Sequence, residues 1–129
     1  VGYLYLQEFL PGNTSDLRIV VVGERIWGFF RGVKKNDFRA SGSGLNDYDT
    51  PVPADIVRKS YEITQLLGTQ SLCFDYVKAQ DGSYKIIEIS YGYENKTVAG
   101  CRGYWDKDLV YHEDRIMPVE CILKDFIKE

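Results

Sequence analysis

The stretch Ser71-Leu-Cys-Phe-Asp-Tyr-Val-Lys-Ala-Gln-Asp-Gly-Ser-Tyr-Lys-Ile-Ile-Glu-Ile-Ser90 decides the fold class. Two runs rich in β-branched and aromatic residues flank Asp81-Gly82, the strongest short-range signal for a two-residue type I′ hairpin turn. With that turn, Gln80 pairs with Ser83 and Asp75 stands directly opposite Glu88. Opposed side chains in an antiparallel pair have Cβ atoms about 4.5 to 5.5 Å apart, and like charges there are destabilising. A divalent cation offsets such repulsion, because hard ions such as magnesium take carboxylate oxygens and fill their remaining positions with water and phosphate. Period-2 alternation puts Ser90 on the same face, where its hydroxyl could complete a metal site. The other reading is that a nearby Lys or Arg holds one carboxylate, or that it points into solvent; a one-residue slip would separate the two across the sheet.

Upstream of the hairpin, the first third reads as three strands, about Tyr3 to Leu10, Asp16 to Val22 and Arg25 to Val33, with turns at Pro11-Gly12-Asn13 and Gly23-Glu24. A two-residue turn at Gly23-Glu24 sets Asp16 against Arg31 and Arg18 against Phe29. Arg18 then lies on an apolar strand face with Val20 and Trp27. Its guanidinium cannot lose its charge, so it needs an anion, either an internal carboxylate or a bound phosphate. Lys34 to Gly44 is a basic stretch running into a Gly/Ser-rich loop, in which Lys34 and Arg39 could hold an anion; it lacks Walker A spacing and also reads as a plain surface loop.

Pro53 to Leu67 reads as a helix, with Pro in its first turn, Asp55 near its positive end and Gly68 as its stop. Ile56, Ser60, Ile63 and Leu67, widened by Val57, Tyr61 and Leu66, form the stripe expected to cover one sheet face. After Ser90 the text becomes irregular through Asp106. Tyr93, Tyr104 and Trp105 there could line a pocket, though aromatics in long loops more often anchor the loop. His112, the single histidine, has no partner placed for general-base work. Val119, Ile122, Leu123 and Phe126 read as the inward face of a last helix, Pro118 to Lys128. Three strands, a helix, a hairpin and a helix indicate an α+β fold with a mainly antiparallel sheet covered by helices.

A chain of 129 residues suits a single domain, and a hydrophobic fraction of 44% with ten tyrosines argues for a folded one. The net charge of −3 leaves no electrostatic footprint for nucleic acid. Cys73, Cys101 and Cys121 have neither disulfide nor zinc spacing, and Cys73 reads as a packing residue. No apolar run reaches a membrane span and no segment resembles a signal peptide, so the cytoplasm is the default expectation. The chain begins at Val1 inside a strand-like pattern, as a piece of a larger protein would.

Leu6-Gln7-Glu8-Phe9-Leu10, Asp16-Leu17-Arg18-Ile19-Val20, Phe38-Arg39-Ala40-Ser41, Phe74-Asp75-Tyr76 and Glu88-Ile89-Ser90, in this order and spacing, resemble the C-terminal lobe of the ATP-grasp superfamily. The resemblance implies a single lobe over residues 1–129, without its N-terminal partner lobe and inactive alone. It implies that Gln7, Glu8, Phe9 and Leu10 read the adenine and ribose of ATP, and that Arg18 contacts the phosphates. Arg39 would lie near the transferred phosphoryl group, with Asp75, Glu88 and Ser90 holding Mg2+ or Mn2+. The family usually has Asn where this chain has Ser90, which weakens the second metal position. The function implied is a carboxylate–amine (or thiol) ligase acting through an acyl-phosphate on a small carboxylate substrate. The alternative is a non-catalytic binding or interaction module of the same architecture. Tyr91-Gly92-Tyr93 and Gly103-Tyr104-Trp105-Asp106 are similar to ATP-grasp proteins of bacterial surface-polysaccharide clusters.

Overall fold

The structure, a computed structural model, describes residues 2–32 and 45–128. The expected basic loop, Arg39 included, therefore lies outside the described residues. Strands β1 (Ser15–Val22) and β2 (Arg25–Gly32) form the first hairpin around Gly23, whose φ of +58° suits a residue without a Cβ. Their register is the expected one, with Asp16 against Arg31 and Arg18 against Phe29. Two residues, Asn46–Asp47, make β3 against β2. Helix α1 (Ala54–Leu67) follows Pro53 and ends on Gly68, whose φ of +63° lets its N–H bond Gln65 while Thr69 N–H reaches Thr64, a Schellman closure.

The decisive hairpin is β4 (Ser71–Lys78) and β5 (Tyr84–Ser90). Its loop differs from the expected two-residue turn. Ala79 pairs with Ser83, leaving Gln80, Asp81 and Gly82 as a three-residue loop, with Gly82 at φ +83°. The Asp81 carboxylate accepts bonds from the Ser83 amide (2.9 Å) and hydroxyl (2.6 Å), which fixes this tighter geometry. That loop shifts the register by one residue, so that Tyr76 faces Ile86. A β-bulge at Ile87 then shifts it back, and Asp75 faces Glu88 as expected. The bulge reconciles two demands that strict alternation cannot meet together: Tyr84 and Ile86 pack toward α1, while Glu88 shares the opposite face with Asp75.

The region expected to be irregular carries α2 (Asn95–Val98), β6 (Tyr104–Asp106), β7 (Tyr111–His112) and α3 (Pro118–Ile127). Among the described residues the sheet has seven strands, all antiparallel, in the order β5-β4-β1-β2-β6-β7 with β3 also on β2. One face packs Leu17, Ile19, Val21, Ile26, Leu72, Phe74 and Tyr76 against Ile56 and Val57 of α1. The other packs Val20, Val22, Trp27, Phe29 and Cys73 against Val98 of α2 and Cys121 of α3. The fold is α+β, as the sequence indicates.

Three expectations about faces are corrected. Residues 3–10 are not a strand: no described strand pairs with them, and Tyr3, Leu4, Tyr5, Leu6 and Phe9 are exposed. A strand needs a neighbour for its backbone groups, and alternation alone does not supply one. In α1 the buried line is Ile56, Val57, Ser60 and Thr64, so that the helix is rotated from the expected stripe and Leu66 and Leu67 are exposed. In α3 the inward residues are Pro118, Cys121 and, as expected, Ile122, whereas Val119, Leu123 and Phe126 are exposed. No helix among the described residues is long and apolar enough to cross a membrane.

Candidate functional site

On the face shared with α2 and α3, one row crosses β5, β4, β1 and β2 as Glu88, Asp75, Arg18 and Phe29. The neighbouring row toward the helices is Ser90, Cys73, Val20 and Trp27. On the other side of the charged row, Asp16 faces Arg31 across β1 and β2. Period-2 alternation in β1 and β2 is what brings Asp16, Arg18 and Arg31 to one face.

Four of these side chains form a continuous ionic chain, Arg18–Asp75–Arg31–Asp16. Arg18 donates from Nε to Asp75 Oδ1 and from Nη2 to Asp75 Oδ2, each at 2.8 Å. Arg31 Nη2 donates to Asp75 Oδ2 at 2.9 Å. The same Arg31 forks onto Asp16, with Nε donating to Oδ1 at 3.0 Å and Nη2 to Oδ2. Side-chain exposure is only 5% for each aspartate, 11% for Arg31 and 16% for Arg18. Bidentate, buried Arg–carboxylate pairs of this kind are the strong class of charge-assisted bonds. Burial works most strongly against the Arg18 charge, but its bonds to Asp75 together with the negative charge of Asp75 and Asp16 outweigh it and raise its pKa. For Asp16, burial pushes the carboxyl above its ordinary value against the pull of the Arg31 bonds. Burial also pushes the Cys73 thiol up to about 12, in keeping with its role in packing.

The repulsion between Asp75 and Glu88 is thus met inside the protein by Arg18 and Arg31, and the anion that Arg18 requires is Asp75. The diagonal reach of Arg31 past β1 to Asp75 is the contact that sequence reasoning missed, although the β1–β2 register already placed Arg31 on this face. Glu88 is exposed and has no ion pair with a described residue. Ser90 Oγ donates to the Gly92 carbonyl at 3.1 Å and keeps its lone pairs as acceptors.

As a donor set, two carboxylates and a hydroxyl on one face are hard oxygen ligands that suit magnesium or manganese. Of the Asp75 oxygens, Oδ2 accepts two bonds and Oδ1 one, so a cation there must share or displace an arginine. Among the described residues no group of three or more His, Cys, Asp or Glu side chains converges on one point. The residues fit the ion with the balance of its coordination supplied by water and phosphate.

Gln7, Glu8 and Phe9 are exposed and Leu10 is half-buried, on an extended segment tied to the hairpin. Gln7 Nε2 donates to the carbonyl of the bulge residue Ile87 at 3.2 Å, and Asn13 bridges the Leu10 carbonyl and the Lys78 backbone. The segment therefore runs beside the strand that carries Glu88.

The aromatics after Ser90 serve as anchors. Tyr93 OH meets Ser71 Oγ at 2.9 Å, Tyr104 lies between Trp27 and His112, and Trp105 packs on Tyr111. His112 Nε2 meets Asp106 Oδ2 at 2.8 Å at the surface end of this group. Gly103 is required here, since a Cβ would stand 2.0 Å from the His112 carbonyl oxygen.

No protein-family model and no curated protein matches the sequence. Among solved structures, macrocyclase MdnB from Microcystis aeruginosa MRC aligns with 95% of this chain and 40% of its own at 19% identity, with a TM-score of 0.58. A RiPP-associated ATP-grasp ligase from Chryseobacterium gregarium, in complex with ADP and a leader and core peptide, aligns with 88% of this chain and 33% of its own, also at 19% identity, with a TM-score of 0.57. The chain thus spans well under half the length of either neighbour. Its fold is that of part of an ATP-grasp ligase.

Proposed function

We propose that this chain supplies the phosphate- and metal-binding sheet of an ATP-dependent ligase that activates a carboxylate as an acyl-phosphate for attack by an amine. The observation that carries the reading is the row Glu88, Asp75, Arg18 on one sheet face, with Arg31 beside it. It sets fixed cations and hard oxygen donors within reach of one another, as phosphoryl transfer demands, and asks for no protein nucleophile. Asp75, Glu88 and Ser90 would hold Mg2+ or Mn2+, which when bound neutralises phosphate charge. Arg18 and Arg39 would balance the charge developing on the transferred group. Gln7, Glu8, Phe9 and Leu10 would read adenine and ribose, a role supported by the bond that ties Gln7 to the metal-ligand strand. A second lobe, outside this chain, would close over the nucleotide.

The substrate class is a peptide carboxylate, by analogy with the leader and core peptide held by the Chryseobacterium gregarium ligase. A surface-polysaccharide role draws no support from Tyr91 to Tyr93 or Gly103 to Asp106, whose Tyr93, Tyr104 and Trp105 hold the body together. The test is a titration of the isotopically labelled protein with Mn2+ and ADP, read as paramagnetic broadening of amide signals. Broadening centred on residues 75, 88 and 90, lost in Glu88→Gln, is the expected result. Broadening that ignores Glu88→Gln in a folded protein would remove Glu88 from the site.

A further inference from the structure

We propose that Arg18 makes the Asp75–Glu88 pair a site for a divalent cation only in company with a polyanion, and that the cation alone is refused. The proposal rests on the ligase reading for the identity of the polyanion, a nucleotide polyphosphate, but not for the refusal itself.

The argument starts from an asymmetry between the two arginines on Asp75. Arg31 holds a second carboxylate, Asp16, through its own two-point fork, so it can leave Asp75 and stay paired. Arg18 has Asp75 as its one hydrogen-bonded ionic partner among the described residues, and it spends both Nε and Nη2 on it. The neighbours of Arg18 on its face are Val20 and Asp16 on its own strand and Phe29 opposite on β2; Val20 and Phe29 accept no hydrogen bond, and both Asp16 oxygens are already held by the Arg31 fork. Pulled off Asp75, Arg18 would be a largely buried guanidinium that cannot deprotonate and whose other neighbouring carboxylate, Asp16, is already taken by Arg31.

Charge leads to the same conclusion. With Glu88 included, the three carboxylates and two arginines sum to −1, so a divalent ion arriving alone leaves a net positive cluster whose arginines are poorly solvated. A polyphosphate arriving with the ion removes both penalties at once: its oxygens take the Arg18 fork, and the freed Asp75 oxygens turn to the cation beside Glu88. Arg18 is thereby the switch element, and Asp16 is the positioning residue that keeps Arg31 in place through the exchange.

The experiment follows free Mn2+ by electron paramagnetic resonance and amide broadening on the whole chain, with Mn2+ alone, ADP alone and both. The wild type is expected to take Mn2+ at Glu88 only when ADP is present. Arg18→Gln should take Mn2+ alone, with affinity raised on the order of tenfold or more, and should lose the dependence on ADP. Arg31→Gln, which removes the same charge but leaves the Arg18 fork intact, should gain far less affinity for Mn2+ alone than Arg18→Gln. Should Arg18→Gln not fold, Arg18→Met, with a stem of similar length, carries the same expectation.

Wild-type binding of Mn2+ alone as tightly as with ADP would overturn the proposal. So would equal gains in the Arg18 and Arg31 variants, or no gain in a folded Arg18 variant. If wild type takes no Mn2+ even with ADP while Arg18→Gln takes it alone, the refusal stands and the ligase reading fails.

Discussion

The two faces of this sheet are built from the same strands and solve opposite problems. Toward α1, β1 and β4 present Leu17, Ile19, Val21, Leu72, Phe74 and Tyr76, all buried and apolar apart from one hydroxyl pair, Tyr76 OH with Ser60 Oγ at 2.8 Å. Toward α2 and α3, the same strands begin apolar with Val20, Val22 and Cys73 and turn ionic at Asp16, Arg18 and Asp75. The first face converts burial into stability, and the second spends part of its burial on charge. A buried ion pair seldom stabilises more than a packed apolar pair of similar volume, so its presence asks for a purpose other than stability.

The largest expected effect that tests the contrast is on the α1 face. Phe74→Ala there should lower the free energy of unfolding by about 3 to 5 kcal/mol in a denaturant titration, because a fully buried ring is replaced by a cavity. A loss under about 1 kcal/mol would mean that this face is not the main source of stability. Next, Asp75→Asn should cost about 3 kcal/mol, because it strips Arg18 and Arg31 of a shared buried carboxylate. Glu88→Gln, one strand away and exposed, should change stability by no more than about 0.5 kcal/mol while removing the metal response. If both variants proved neutral, the network would not hold the ionic face together.

A smaller effect concerns the thiols. Burial pushes Cys73 and Cys101 up to about 12 from an ordinary 9.0, so a folded thiol keeps its proton where an unfolded one has lost it. The stability they contribute is then fully present below 9.0 and is lost as pH rises toward 12, since the unfolded chain binds fewer protons across that window. Unfolding curves from pH 8 to 11 should show this decline, and a Cys73→Ala, Cys101→Ala double variant should show less of it. At pH 8 both thiols should resist alkylation until the chain is unfolded. The smallest effect belongs to the exposed ion pairs Arg102–Asp49 and Lys107–Glu24, whose side chains are half or more exposed. Arg102→Ala should change stability by less than about 0.5 kcal/mol, and Lys107→Ala should leave the unfolding midpoint unchanged, in contrast to Asp75→Asn.

The way the hairpin departs from its sequence pattern is instructive. Asp-Gly suggested a two-residue turn, whereas the Asp81 carboxylate instead closed a three-residue loop onto Ser83. Alternation then predicted one face for Ile86 and Glu88, yet the bulge at Ile87 separates them. These two departures cancel at Asp75 and Glu88, so the pairing was read correctly by a route that the structure does not follow. The outward face of α3 was misread for a related reason: Leu123 and Phe126 are more hydrophobic than Cys121, but helix rotation is set by packing on the sheet, where Cys121 and Ile122 join the cluster of Val20, Val22 and Trp27.

By itself the sequence determined the local elements: a helix ending at Gly68, a first hairpin that sets Asp16 against Arg31, and a second that sets Asp75 against Glu88. These depend on turn residues, caps and alternation within a few residues, and such signals are written where they act. Only the tertiary structure decided that β4 lies beside β1, and with it that Arg18 and Arg31 close on Asp75 across 57 and 44 residues of chain. Strand order depends on which faces can be buried together, a property of the whole assembly rather than of any segment. That is why Asp75, readable in the sequence as one of a carboxylate pair, proved to sit in an ionic network that was not readable there.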